Sequence, residues 1–205
     1  MFRSRRRPII FTQADHARFS AAIALAWGNE QFPRPPLPFD AFIRGVALHD
    51  RGYGELDDDP LLETPRPRWI EIQRNGFRPR GVEPIVDLVV GLHVRRLVGH
   101  DPVGDEMEAA LPALADAAGV SLADGRTADA IAALCDGVAF DFCFEEPESG
   151  SVGGIEFRVD GLGGVTFDPW PLSVPRLVGL VTAYEADGYP GRLEPVIVPF
   201  SIDPA

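Results

Sequence analysis

Apolar and polar positions change rhythm once along the chain, near residue 147. Before it, apolar residues recur at helical spacing; after it they come in short or alternating runs separated by Gly-Gly pairs and prolines. Residues 7–11 suggest a short strand. Thr12 is placed to cap a helix over residues 13–27, with Asp15 in its first turn and Gly28-Asn29 at its end. A Pro-rich connector, 32–38, leads to a second helix, 40–49, stopped near Gly52 and Gly54. Residues 51–81, with the runs DDDP and TPRPRW, read as a long irregular stretch of a kind that is often functional. Pro84 opens a mostly buried helix, IVDLVVGLHVRRLVG. Residues 104–118 form another despite Pro112, and Thr127 caps a last one from Ala128 to Phe144. The runs 155–159, 165–167, 177–184 and 196–202 are predicted strands of a small antiparallel sheet. The expected fold is mainly α, with a helical domain over 1–146 and a small β extension over 147–205 packed on it, α+β overall.

Composition narrows the function classes. The 205 residues, 45% hydrophobic and 24% charged, suit one globular domain with an appendage. Acids outnumber bases 31 to 19, for a net charge of -12, and every base is Arg. Such a surface repels a phosphate backbone and an anionic membrane, so neither nucleic acid nor membrane is an expected partner. No apolar run approaches the roughly 20 residues of a membrane span. The basic head Arg3–Arg7 is followed by an apolar run too short for a signal peptide. Cys135 and Cys143, eight positions apart on one helix, lie about 12 Å apart, too far for a disulfide. A cytoplasmic protein is expected, with self-association into a homo-oligomer left open.

The candidate chemistry sits on the apolar helices. His16 falls early in the first helix, His49-Asp50 at the end of the second, His93 within VVGLHV, and Asp136 within IAALCDGVAF. A buried carboxylate is paired, protonated or bound to metal, and no base lies near Asp136 in sequence. Imidazole with carboxylate suits Mn, Fe, Zn or Ni. One ion held by His16, His49, Asp50 and Asp136 neutralises both acids. Neighbouring helical side chains diverge by about 100°, so His49 and Asp50 share an ion only off the helix end, where HDRGYG loosens the backbone. Arg18 and Arg51 are candidate phosphate clamps. Each residue also has a plain structural reading: a surface His16, a core His49 or His93, an outward Asp136, solvated arginines. The order His, His-Asp, His, Asp on successive helices carries the case.

That order resembles the HD superfamily of metal-dependent phosphohydrolases. More narrowly, IFTQADHARF, AWGN, ALHDRGY, GLH, CDGVAFDFC and the DPWP segment at Asp168–Pro171 resemble a bacterial domain-of-unknown-function family within it. The resemblance implies an HD-domain-like helical bundle. It implies His16, His49, Asp50 and Asp136 as ligands of one or two divalent ions, with His93 binding a second ion or contacting phosphate. Tyr53 stands where cyclic-dinucleotide enzymes of that superfamily carry Lys. The expected activity is hydrolysis of a small phosphate ester or nucleotide, with metal-activated water as nucleophile. Asp50 and His93 are the expected catalytic residues; Arg18, Arg51, Tyr53 and Trp170 the substrate-binding ones. A non-catalytic metal- or ligand-binding module and an HD-fold di-iron oxygenase are the alternatives.

Overall fold

The computed structural model describes residues 1–205. Its elements run β1 (Phe2–Arg3), β2 (Ile9–Phe11), α1 (Gln13–Leu25), α2 (Phe39–Ala47), α3 (Arg66–Phe77), α4 (Pro84–Val98), α5 (Pro102–Ala118) and α6 (Leu122–Phe144). Five strands follow: β3 (Pro147–Val152), β4 (Ile155–Asp160), β5 (Gly164–Asp168), β6 (Leu177–Glu185) and β7 (Pro195–Pro204).

Local chemistry accounts for the helix starts. The Thr12 hydroxyl accepts the Asp15 N–H at 2.9 Å and donates to the Asp15 carboxylate at 2.8 Å. Pro84 opens α4. Asp87, in its first turn, accepts N–H groups from Arg80 and Gly81 and fastens the preceding loop. Ser121, rather than Thr127, caps α6: its hydroxyl accepts the Asp124 N–H at 3.0 Å. The Thr127 hydroxyl turns back to the Ala123 carbonyl at 3.1 Å. The expected irregular stretch 51–81 contains α3, which begins on Arg66-Pro67 and buries Ile72, Gln73 and Gly76. Its three arginines and the prolines in and around it hide that face from an apolar-pattern reading.

The expectation of a mainly helical bundle with a small antiparallel sheet is corrected by the strands. All seven join one mixed sheet in the order β1-β2-β6-β7-β5-β4-β3. β5 and β7 pair in parallel, and the other neighbours are antiparallel. Two features enlarge the sheet beyond the expected tail. Residues from the start of the chain add to one edge, Ile9 opposite Glu185 and Ile10 opposite Tyr184. PESGSV, which lacks an alternating apolar pattern, forms β3 because its backbone completes the ladder of β4. In β4 alternation is strict: Ile155, Phe157 and Val159 face inward and the residues between are exposed.

Sheet and helices share one core of 34 buried residues. In it Phe19 of α1, Phe142 of α6 and Phe200 of β7 meet, with ring centroids 4.6 and 4.7 Å from Phe19. On the far side of this layer α2 packs on α4 through Gly45. A Cβ there would stand 2.6 Å from the Val89 Cβ, so only glycine permits the approach. Thus α1, α2, α4 and α6 are held closely enough for one side chain from each region to reach a common point. No helix is long and apolar enough to cross a membrane.

Candidate metal centre

Each candidate ligand is aimed by its own element. His16, one turn into α1, is 1% exposed, and the Phe2 ring lies 4.7 Å from its ring. α2 ends at Ala47, and His49 and Asp50 occupy the turn just beyond it. Arg51 N–H bonds to the Leu48 carbonyl and Tyr53 N–H to the Asp50 carbonyl, so the chain coils tightly through HDRGY. Gly52 is required here: a Cβ would meet the Ile72 carbonyl of α3 at 2.3 Å. The turn thereby releases His49 and Asp50 from helical divergence, and both converge on His16.

Four atoms from three segments now face one another. His16 Nε2 lies 3.3 Å from His49 Nε2, 3.0 Å from Asp136 Oδ1 and 3.7 Å from Asp50 Oδ2. His49 Nε2 is 3.2 Å from Asp50 Oδ2 and 3.5 Å from Asp136 Oδ1. Ligand bonds near 2.1 Å around one ion put adjacent ligand atoms about 3.0–3.4 Å apart; three of these spacings fall in that range and the other two, 3.5 and 3.7 Å, are slightly longer. His49 Nδ1 faces the Val46 carbonyl at 2.7 Å. Donating there fixes the proton on Nδ1 and turns a lone pair on Nε2 into the cluster, as metal-ligating histidines require. His93 spans the outer carboxylate oxygens: Nε2 is 3.4 Å from Asp50 Oδ1 and Nδ1 3.5 Å from Asp136 Oδ2. His16, His49 and Asp50 form one set of atoms within 4.8 Å, and His49, His93 and Asp136 another.

The electrostatics of the cluster are set by two acids facing buried imidazoles. Burial alone pushes His49 down, but the charges of Asp50 and Asp136 override it and raise it to about 10. Burial would raise Asp50 and Asp136, yet His49 holds both below the usual carboxylate range. His93 is lowered by burial and by the charge on His49. The two acids and the His49 imidazole thus offset one another across the cluster. A divalent ion there would be held by the same imidazole and carboxylate atoms, with both histidines neutral. His16 Nδ1 and His93 Nε2 are buried without hydrogen-bond partners. The donor set, imidazole and carboxylate, fits the borderline or hard divalent ions expected.

The cluster opens into a cavity of about 100 Å³ lined on its polar side by His16, Asp50, His93, Asp136, Gln13 and Tyr53. Its rim is apolar: Phe2, Leu61, Trp69, Leu97 and Phe140. Of the residues expected to bind substrate, Tyr53 is here, its hydroxyl 3.4 Å from Gln73 Nε2. The structure does not bring the others into this cavity. Arg18 pairs with Asp15 and Glu55 and, with Arg51, lines a separate cleft on the other side of Asp50. Arg51 is committed to Asp87 at 2.8 Å and to the Gly76 and Arg78 carbonyls. Its work is to tie the HDRGY turn to α3 and α4. Trp170 donates to the Val174 carbonyl and packs on Phe167. Its carbonyl accepts Asn29 beyond the far end of α1, and His16 to Ala26 alone spans about 15 Å.

Arg96 is the residue that sequence reasoning missed. It reaches Asp136 Oδ2 at 3.3 Å and His93 Nδ1 at 3.1 Å, and its Nε lies 3.4 Å from Asp129 Oδ2. Asp136 therefore has an arginine partner 40 positions away in sequence. The available signal was helical spacing, His93 and Arg96 on one face of α4 and Asp129 and Asp136 on one face of α6, but no local pattern says that the two faces meet.

A family described as Protein of unknown function (DUF3891) matches residues 2–72. The matched stretch holds His16, His49 and Asp50; His93, Arg96 and Asp136 lie outside it. No curated protein matches the chain, and no solved structure does. The resemblance to the HD superfamily is thereby corrected. The family matched is a different one, and the seven-stranded sheet is not part of an HD helical fold.

Proposed function

We propose that the chain is a metal-dependent hydrolase of a small phosphate ester, with His16, His49, Asp50 and Asp136 holding a divalent ion. The observation that carries the reading is that the Nε2 atoms of His16 and His49 lie 3.0 to 3.7 Å from each other and from Asp50 Oδ2 and Asp136 Oδ1. Such an ion, when bound, lowers the pKa of a water and polarises a phosphoryl oxygen.

The chain's own groups supply the rest. Asp50 turns Oδ2 toward His16 and His49 and Oδ1 toward His93. One oxygen serves as ligand while the other orients the attacking water and accepts its proton. Arg96 donates to His93 Nδ1, which leaves the His93 proton on Nε2, a donor without a partner beside the cavity. That N–H is suited to hold the leaving oxygen. The cavity is far below the 300–1,000 Å³ common for whole small-molecule ligands, so only the reacting group enters. An apolar portion of the substrate rests on Trp69 and Leu97 at the rim. The proposed setting is the reducing cytoplasm, supported by the free, buried thiols of Cys135 and Cys143.

The test is turnover of p-nitrophenyl phosphate and of its diester by protein loaded with Mn, Fe, Zn or Ni, against chelated protein. Metal-dependent turnover that His93→Ala lowers by about 10²-fold or more supports the assignment. Full metal occupancy with no turnover of either ester overturns the hydrolase reading in favour of a metal- or ligand-binding module.

A further inference from the structure

The two sets of ligand atoms share His49, which raises the question of one ion or two. Asp50 and Asp136 each turn one oxygen toward His16 and His49 and the other toward His93. A second ion beside His93 would draw on Asp50 Oδ1, His93 and Asp136 Oδ2. Arg96 stands at that place. Its Nη1 is 3.3 Å from Asp136 Oδ2 and its Nη2 3.1 Å from His93 Nδ1.

The structure assigns Arg96 the role of a built-in second cation, which makes the centre mononuclear. This rests on the metal reading above and adds to it the count of ions and the residue that sets it. Two physical effects combine. Arg96 occupies Asp136 Oδ2 and the His93 Nδ1 lone pair, leaving a second ion only His93 Nε2 and Asp50 Oδ1. Two ligands are too few for a stable protein site. Charge is the second effect. Asp50, Asp129 and Asp136 contribute three negative charges, and Arg96 with one divalent ion contributes three positive ones. A second divalent ion would leave two positive charges uncompensated among side chains that are largely buried. Asp129 keeps the guanidinium in place: it is 3.4 Å from Arg96 Nε, one side of the fork, while Nη1 and Nη2 face the cluster. Arg96 is thus a positioning residue, acting through Asp136 and His93.

The experiment uses the full chain and manganese(II) alone. Ion content after equilibration and desalting is measured by elemental analysis, and the electronic environment by electron paramagnetic resonance. Wild-type protein is expected to hold one ion per chain with an uncoupled Mn(II) spectrum. Arg96→Met, which keeps length but removes charge and donors, is expected to hold two, with an exchange-coupled spectrum. Arg96→Lys restores the charge and is expected to return to one. Two coupled ions in the wild type overturn the assignment, and this arm stands even if the Met variant fails to fold. A folded Arg96→Met protein that stays at one ion also overturns it, as does a two-ion Lys variant. No bound ion in the wild type removes the metal reading itself, a separate result from a wrong count.

Discussion

Asp136 meets His16, His49, His93 and Arg96, so its charge is used from four directions. Replacing it with Asn keeps the shape and removes the charge. Loss of an outer-shell partner alone lowers metal affinity 10–100-fold, so loss of a direct ligand is expected to lower Mn(II) affinity by more than about 10²-fold in calorimetric titration. An unchanged affinity removes Asp136 from the ligand set. The metal-free variant is also expected to unfold at lower denaturant, because Arg96 and His49 lose their shared counter-charge. Asp87 gives a pH test away from the cluster. Burial would raise its carboxyl, but the N–H groups of Arg80 and Gly81 and the Arg51 guanidinium override this and hold it low. A carboxyl lowered on folding adds stability that is complete above the unfolded pKa, about 3.9. That stability is lost as pH falls through the folded value. Asp87→Asn is therefore expected to destabilise the chelated protein at pH 7, with the gap to wild type narrowing as pH falls below the unfolded value. Urea midpoints at pH 7 and below the unfolded value measure it, and a gap that stays constant contradicts this origin.

At the scale of elements, the site depends on how closely helices approach. α2 leads into the turn that carries His49 and Asp50, and α4 carries His93 and Arg96. The two meet where Gly45 lies against Val89. Gly45→Ala adds a methyl 2.6 Å from Val89 Cβ, an overpacking expected to cost about 1–3 kcal/mol in denaturant unfolding. Because the added volume separates the ligand-bearing elements, metal affinity is expected to fall as well. Val89→Gly in the same chain removes the Cβ and both Cγ atoms that the new methyl meets and is expected to recover part of both losses, a non-additivity that a double-mutant cycle reads directly. Additive effects of the two changes would show that the contact does not couple the elements.

The whole molecule is tied together across sequence. β2 pairs with β6, and Phe19 and Phe142 meet Phe200 in the common core. Deleting residues 147–205 removes five of the seven strands and leaves the inner faces of α1 and α6 uncovered. The fragment 1–146 is expected to show no cooperative thermal transition and to bind a hydrophobic dye. The full chain is expected to unfold in one step by far-ultraviolet circular dichroism and by tryptophan fluorescence. Two separated transitions, or a fragment with native-like cooperativity, would show that the helices do not need the sheet.

What could be read from the residues alone is what local chemistry controls. The Thr12 cap, the start of α4 at Pro84, the alternation of β4 and the turn after α2 each depend on neighbours within a few positions. So does the placing of His16, His49, Asp50, His93 and Asp136 on or just beyond apolar helices, where their chemistry stands out from their neighbours. The unpatterned α3 and β3 escaped because arginines and prolines mask one face and backbone pairing alone recruits the other. The sheet's size and its parallel β5–β7 pair were decided by contacts between distant segments. Arg96 belongs to the same class: its partners Asp129 and Asp136 lie more than 30 positions on. Its charge could stay solvated or neutralise a buried acid, and only the packing of α4 against α6 selects the second. Local sequence thus determined which groups are available and how each backbone aims them, while tertiary packing decided which of them meet. The meeting energies arise between side chains whose separation along the chain carries no signal.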